Sequence, residues 1–389
     1  MFNPTLGTAS PTIGLYFVSG ARKSYNIAKT LSLAGCRVIV RVEPSIVELL
    51  DPKHKIHIDT QYCAWLYQDP GIEVIPHVSA ALPVDAMLYE LCRDAPRYPE
   101  ELRAWARKTP NVAAWNSSWH EGSFKANLRS ELDIVGKFLE FLPRTRSVVM
   151  HNGRTHFRPT SMFSRPCIQG AFVHPRFLYD DTCRVQMFGI DWRPEAQRGA
   201  RLIFAGDAIS PRRVVLVEQS RRFVEKRGDV EIILNYEEGL GLDTRAAPKS
   251  GKHLVFWLAT FDDSPNQIPM IHWPAVLRNC DFCFCPPGYE QKSHRVFECL
   301  LQGSIPILHC PYDYDIGMRD GVDCIIVKDG DWETGIKRAM ECTPDEIIRL
   351  RRGVAALADR HLHHRGSAQR WLNFMGIKTP LPVASQAMR

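Results

Sequence analysis

Residues 281–315 read DFCFCPPGYEQKSHRVFECLLQGSIPILHCPYDYD, and this stretch alone predicts two strands joined by a turn and a helix. The apolar run Phe282–Cys285 has the length of a buried strand, and the Pro-Pro-Gly turn behind it ends that strand. Helical spacing begins at about Lys292, Gly303 terminates it, and Ile305–Leu308 forms the second apolar run. Strand–helix–strand units of this kind are typical of a parallel sheet covered by helices.

The same alternation of strands and helices occurs in both halves of the chain. One series begins with the apolar run Ile13–Val18 and a helical pattern over Ala21–Ala34. Another begins with the run Arg201–Ala205 and a helical pattern from Pro211 to Lys226. We therefore predict an α/β protein of two Rossmann-like domains that face each other across a cleft. The predicted segments are residues 1–198, residues 199–360, and residues 361–389 with a helix that crosses back to the first domain.

The C-terminal part carries a clear helix-start signal. Thr343 is a suitable N-cap, Pro344 suits the first helical position, and Glu346 lies three residues beyond the cap. This predicts a helix from Pro344 to about residue 364, which Gly366 and Ser367 should separate from a last short helix over 368–374.

Composition excludes several classes of protein. A chain of 389 residues with 45% hydrophobic and 24% charged residues is too long for one ordinary core and too apolar for disorder. A net charge of +6 suits an enzyme that handles diphosphates, and no nucleic-acid-binding module is recognisable. No apolar run approaches the length of a membrane span, so we expect no transmembrane segment, although peripheral membrane contact stays open. Met1–Thr12 does not resemble a secretion signal, and the 12 cysteines follow no disulfide framework; we therefore predict a cytoplasmic location.

The spacing of several cysteines is similar to that of metal ligands. Cys280, Cys283 and Cys285 have the spacing C-x2-C-x-C, and a His309-Cys310 pair follows downstream. Phe282 and Phe284 alternate with the thiols, which favours buried cysteines inside a strand. We therefore expect no metal ligands here and no cofactor.

The turn and helix start of residues 281–315 have the chemistry of a phosphate site. Gly288 lies just ahead of a helix N-terminus, where free backbone N–H groups and the helix dipole favour an anion. Lys292, Ser293 and Arg295 add a charge, a hydroxyl and a forked donor within one turn. The same side chains can also be ordinary surface residues.

These residues resemble the C-terminal motif of exostosin-like glycosyltransferases, in which an apolar-Cys strand leads to Pro-x-Gly-Tyr-Glu, Ser-x-Arg, Glu, Gly and Ile-Pro. The resemblance covers about 30 residues closely and implies a GT-B fold with the nucleotide-sugar site in the C-terminal half. It implies that Glu298 binds the ribose, that Ser293 and Arg295 lie beside the diphosphate, and that Glu290 lies near the donor sugar. Enzymes of this fold often place a basic residue after the first strand of that half, where this chain has Gly206, Arg212 and Arg213.

An arginine at that position can neutralise a leaving diphosphate, which is the task of a metal in other glycosyltransferases. We therefore expect sugar transfer without an essential metal. The resemblance favours inversion of configuration, but the spacing from Glu290 to Glu298 recurs in retaining relatives, so both stereochemical outcomes stay open.

The catalytic base should come from the N-terminal half, which normally binds the acceptor. His120 and Glu121 precede a long helical pattern, and His151 follows an apolar run. Any of them can accept the proton of an attacking hydroxyl, and each can equally be structural. We rank His120 and Glu121 first and His151 second.

The predicted function is transfer of a hexose or pentose from a nucleotide-diphosphate sugar to a saccharide or lipid-linked glycan, as in polysaccharide biosynthesis. Two alternatives remain: an epimerase that acts on a nucleotide sugar, and a non-catalytic module that binds glycan or nucleotide. A dehydrogenase is disfavoured, because Gly7, Gly14 and Gly20 do not form G-x-G-x-x-G behind a strand.

Overall fold

The computed structural model describes sixteen segments of the chain. They are residues 10–18, 22–43, 58–75, 82–91, 98–116, 145–150, 164–165, 173–206, 211–227, 231–233, 253–258, 268–287, 293–309, 311–314, 316–328 and 330–378. They fall into two compact units, one formed by Met1–Tyr179 with His364–Arg389 and the other by Asp180–His363. Among the helices that the structure describes, none combines the length and the apolar character needed to cross a bilayer.

The first unit is built on a parallel sheet. Its described strands are β1 (Thr12–Phe17), β2 (Arg37–Val42), β3 (Ile72–Val74), β4 (Ala86–Leu91), β5 (Val112–Asn116), β6 (Thr145–Met150) and β7 (Ser164–Arg165). They pair in the order β3-β2-β1-β4-β5-β6-β7, the strand order of a Rossmann-like sheet. The described helices are α1 (Arg22–Leu33), α2 (Ile58–Gln68), α3 (Glu100–Lys108), α4 (Arg176–Tyr179) and, from the C-terminal part, α11 (His364–Phe374).

An aromatic core holds α3 against this sheet. The indole of Trp105 lies on the backbone of β1, where a β-carbon at Gly14 would come within 2.5 Å of the ring. Glycine at position 14 therefore permits the close approach of helix and strand. On β4, the carboxylate of Glu90 is fully buried and accepts the backbone N–H of Val18 at 2.8 Å, which ties the ends of β1 and β4 together.

The last helix belongs to the first unit. Helix α11 packs against α1 and buries Trp371 and Leu372. Helix α10 (Pro344–His361) begins with the predicted capping box, since Thr343 and Glu346 exchange hydrogen bonds. The predicted break at Gly366 and Ser367 is wrong, because both residues lie inside α11 and the helices separate at residues 362–363. Ser367 is buried there, so packing outweighs the weak helix preference of the pair.

The second unit is also a parallel sheet with helices. Its described strands are β8 (Ala200–Gly206), β9 (Glu231–Ile233), β10 (His253–Leu258), β11 (Cys280–Phe284), β12 (Ile305–Leu308) and β13 (Ile325–Ile326), paired in the order β13-β12-β11-β8-β10-β9. The remaining helices are α5 (Asp181–Phe188), α6 (Pro211–Glu225), α7 (Trp273–Arg278), α8 (His294–Leu301), α9 (Trp332–Glu341) and α10. The runs Leu202–Phe204 and Phe282–Phe284 are fully buried, as expected for strands covered on both faces.

The division between the units falls earlier in the chain than the predicted boundary at residue 198. The segment after Tyr179 joins the second unit through polar contacts. The indole N–H of Trp192 donates to the carbonyl of Leu301 at 2.9 Å, and the Arg198 guanidinium donates to the carbonyl of Cys280 at 2.7 Å. Because these partners are distant in sequence, the local pattern of residues 180–198 could not assign the segment to a domain.

Candidate functional site

Two strands of the second unit, β8 and β11, are neighbours in the sheet but not in sequence. From β8 the chain passes to β9 and then to β10 on one side of the sheet, and it returns to β11 on the other side, which makes a topological switch point. Ligands of open α/β sheets bind beyond the carboxyl ends of the strands at such a point. The predicted binding residues follow these two strands, on α6 and α8, and therefore lie at this edge of the sheet.

Gly206, the last residue of β8, brings two arginines together. Its φ of 150° is one that L side chains rarely adopt. A β-carbon here would lie 3.4 Å from Nη1 and 3.5 Å from Nη2 of Arg295, and 3.5 Å from Nη1 of Arg213. Guanidinium groups from α8 and α6 thus converge on the end of β8. The missing side chain leaves room for an anion between them.

Arg295 is held in place by aromatic rings. Its guanidinium carbon lies 5.5 Å from the ring centre of Trp273 and 5.8 Å from that of Phe204, distances that suit cation–π contact. Within the described part of the chain, its buried Nε has no hydrogen-bond acceptor, and neither has the buried Nη1 of Arg212. Buried donors in native proteins nearly always have a partner. An anion beside Arg295 would supply an acceptor for its Nε.

The helix that carries Arg295 begins two residues later than predicted. Ser293 is the N-cap, and its hydroxyl accepts the backbone N–H of Arg295 at 3.3 Å. The N–H of Ser293 donates to the hydroxyl of Tyr314 at 2.9 Å. Serine is a preferred N-cap, whereas Lys292 is not, which explains the shift. The hydroxyl of Ser293 thus stabilises the start of α8.

Glu298 is only 2% exposed. Its Oε2 accepts the indole N–H of Trp273 at 2.8 Å, and its Oε1 lies 3.9 Å from Nε2 of His294 on the same helix. A buried carboxylate is costly unless donors surround it. The expected donors were ribose hydroxyls, but the structure supplies Trp273. The ribose role itself stays a prediction.

Three thiols lie behind this edge. Cys283, Cys285 and Cys299 have their Sγ atoms within 4.8 Å of one another, and burial raises the pKa of the Cys285 and Cys299 thiols. The predicted burial of Cys283 and Cys285 is confirmed, with exposed fractions of 0% and 3%. Cys299 joins them from α8, which the strand spacing could not indicate.

Six predicted site residues lie outside the described part of the chain. They are the base candidates His120, Glu121 and His151, and the loop residues Gly288, Glu290 and Lys292. The structure adds Trp273, Phe204 and Tyr314, which contact the predicted residues but follow no motif. Trp273 lies 25 positions from Glu298, so only the fold reveals their contact.

No protein-family model matches the chain. A probable glycosyltransferase of Arabidopsis thaliana is 29% identical over 140 residues, an alignment that covers 30% of this chain. The chain spans 26% of that relative's length.

Comparison with solved structures concerns the fold. The N-terminal domain of trehalose-6-phosphate phosphatase from Candida albicans superposes with a TM-score of 0.51 at 11% identity, covering 97% of this chain and 99% of that one. An Anabaena protein solved with UDP, Alr3699/HepE, gives 0.47 at 12% identity, over 94% and 99%. The α/β architecture with two parallel, Rossmann-like sheets is that of the GT-B fold.

Proposed function

We propose that the chain is a glycosyltransferase of the exostosin-like type, which moves a sugar from a nucleotide-diphosphate donor to a hydroxyl of a saccharide or glycan acceptor. One observation carries this proposal: Arg295 and Arg213 converge on the side-chain-free end of β8, and Nε of Arg295 has no acceptor among the described residues. A diphosphate offers an acceptor oxygen for Nε of Arg295 and a negative charge for both guanidinium groups. The partial match to a probable plant glycosyltransferase supports the same reaction class.

The arginines would act when the donor's glycosidic bond breaks. The electron pair of that bond passes to the diphosphate oxygen, and fixed cations stabilise the charge that develops there. The acceptor oxygen forms the new bond to the anomeric carbon, and its proton passes to a base, for which His120, Glu121 and His151 remain our candidates. We propose inversion of configuration and no essential metal at the diphosphate. Buried free thiols such as Cys280 and Cys324 suit a reducing compartment such as the cytoplasm.

Nucleotide binding is the first test. The purified protein is melted with uridine, guanosine, adenosine and cytidine diphosphates in turn. A ligand present at 100 times its Kd stabilises the folded state by about 2.7 kcal/mol, so the cognate diphosphate should raise the melting temperature visibly. If none of the four does so and none binds in calorimetry, the proposal is wrong.

The role of Glu298 is tested with the diphosphate found in this way. Hydrogen bonds to a charged acceptor contribute about 1.5–3 kcal/mol. Glu298→Gln should therefore weaken binding by roughly 10- to 100-fold. Glu341→Gln, at an exposed position of α9, is the matched control and should bind normally. Equal affinities of Glu298→Gln and wild type would remove Glu298 from the ribose site.

The reaction class is tested by incubating the matching nucleotide sugar with and without candidate saccharides. Acceptor-dependent release of the nucleoside diphosphate, together with a glycosylated product, is expected. An isomer of the donor formed without acceptor would identify an epimerase instead. Tight binding of donor without turnover on any acceptor would identify a binding module.

A further inference from the structure

Three thiols from two elements meet beneath the edge of the second sheet. Cys283 and Cys285 are two residues apart on one extended segment, so they point to the same face, and Cys299 comes from α8. All three Sγ atoms lie within 4.8 Å of one another, and those of Cys285 and Cys299 are 3.8 Å apart. Within the described residues, this is the one group of three or more His, Cys, Asp or Glu side chains that meets so closely.

We propose that Cys283, Cys285 and Cys299 form a three-thiolate site for a zinc(II) ion. A zinc–sulfur bond is about 2.3 Å long, so sulfurs arranged tetrahedrally around one ion lie about 3.8 Å apart. The Cys285 and Cys299 sulfurs already have this separation. The third sulfur needs to approach by at most about 1 Å, a side-chain adjustment of ordinary size.

Charge favours zinc over other thiophilic ions. When zinc(II) binds, three thiol protons pass to solvent and no electron is transferred, so three thiolates and the ion together carry a charge of −1. Arg295 precedes Cys299 by one turn of α8, and its positive charge acts on Cys283 and Cys285, whereas the Glu298 carboxylate acts on Cys283 in the opposite sense. These two charges oppose each other, so a metal complex of low net charge is favoured here. Copper(I) would leave a charge of −2, which is harder to bury.

A bound ion would connect β11 to α8. The three sulfurs are covered, with exposed fractions of 0%, 3% and 0%, so zinc here would not meet substrate and would act on stability. Zinc with three protein ligands keeps a fourth position for a small ligand. This proposal does not depend on sugar transfer, because its readouts are metal content and spectrum.

The direct test uses cobalt(II) as a spectroscopic substitute for zinc. The reduced full-length protein is freed of metal with a chelator and titrated with cobalt(II), then with zinc(II). We expect one cobalt per chain, a thiolate-to-cobalt charge-transfer band, and visible absorption bands as intense as those of tetrahedral cobalt(II) complexes. One equivalent of zinc should displace the cobalt and abolish these bands. A spectrum without charge transfer, or binding of copper(I) alone, would overturn the proposal.

Variants locate the site. Cys299→Ala should weaken zinc binding by more than the 10- to 100-fold that outer-shell changes produce. Cys280→Ala is the matched control, because Cys280 is also fully buried on β11 but lies outside the group, and it should bind normally. Cys283→Ser provides a second ligand variant if Cys299→Ala does not fold. Equal binding by wild type and both ligand variants, or equal loss in the control, would place the zinc elsewhere.

Discussion

Trp273 connects the two most informative side chains of the candidate site. Its indole N–H donates to Glu298 at 2.8 Å, and its ring lies under the guanidinium of Arg295. The substitution Trp273→Phe keeps an aromatic ring but removes the donor. Oε2 of Glu298 then loses this hydrogen bond in a position that is 2% exposed.

The size of the effect follows from that burial. A hydrogen bond to a charged group contributes about 1.5–3 kcal/mol, and a buried acceptor that loses its donor also bears its desolvation cost. We expect the change in ring size alone to cost about 1 kcal/mol. The free energy of unfolding should therefore fall by about 3 kcal/mol. For a unit of this size, each kcal/mol lowers the melting temperature by about 2–4 °C.

Trp332→Phe is the control that isolates the hydrogen bond. Trp332 is 1% exposed, and its indole nitrogen has no acceptor in the part of the chain that the structure describes. The same substitution there removes ring area but no hydrogen bond. We therefore expect Trp273→Phe to be about 2 kcal/mol more destabilising than Trp332→Phe, measured by urea denaturation of both variants.

A binding measurement completes the test. Trp273→Phe should also weaken binding of the cognate nucleoside diphosphate, because Glu298 loses a hydrogen bond and Arg295 loses the indole ring beneath it. Trp332→Phe should not weaken this binding. In a double-mutant cycle, Trp273→Phe and Glu298→Gln should be non-additive by about 0.5–3 kcal/mol. Equal destabilisation by the two tryptophan variants would show that the hydrogen bond contributes nothing, and additivity in the cycle would show that the charge of Glu298 does not strengthen it.

Three further predictions concern the arginine, the metal requirement and the capped helix. Arg295→Lys should lower kcat/KM at least tenfold, about 1.4 kcal/mol, because an ammonium cannot replace a forked, stacked donor. Arg227→Lys, at another arginine–aromatic contact, is the control and should leave kcat/KM unchanged. Normal kinetics of Arg295→Lys would contradict the proposed site. Sugar transfer should survive a chelator, and complete loss with recovery on adding Mn²⁺ or Mg²⁺ would contradict the metal-free mechanism. Hydrogen bonds from Thr343 hold the pKa of Glu346 below its usual value, so this stabilisation is present at neutral pH and lost as the pH falls through the lowered pKa. The melting temperature of Glu346→Gln should therefore decline less than that of the wild type as the pH is lowered from neutral towards about pH 3. An equal decline in both proteins would mean that other groups cause it.

The alternation of apolar runs and helical patterns was sufficient to predict most described elements of the second unit. β12 has the predicted bounds, and β11 and α8 differ by about two residues at their ends. Local rules succeed there because each strand is a short run of buried residues between turn signals. The central strand β4 was not predicted. Glu90 interrupts its apolar run, and the hydrogen bond from Val18, far away in sequence, helps to stabilise the buried carboxylate.

The sequence indicated which residue types could form the site better than it indicated how their side chains are arranged. Arg295 and Arg213 converge on Gly206, because the ends of neighbouring strands at a switch point lie side by side. Their assignment to a diphosphate came from the family resemblance and stays a prediction. The surroundings of Glu298 could not be predicted, since Trp273 lies on another helix and approaches only after folding. Ser293 was assigned to the diphosphate, whereas its hydroxyl caps α8. A serine before a helix suits both tasks, and sequence alone does not distinguish them.

The two units differ in how the chain builds them. The second is one uninterrupted segment, Asp180–His363, whereas the first needs α11, which follows that segment and packs on α1. A ribosome therefore releases every residue of the second unit before the first can acquire its last helix. Until then, the face of α1 that α11 covers remains open to water and to chaperones. The second unit can mature during synthesis, whereas the first must await the synthesis of α11.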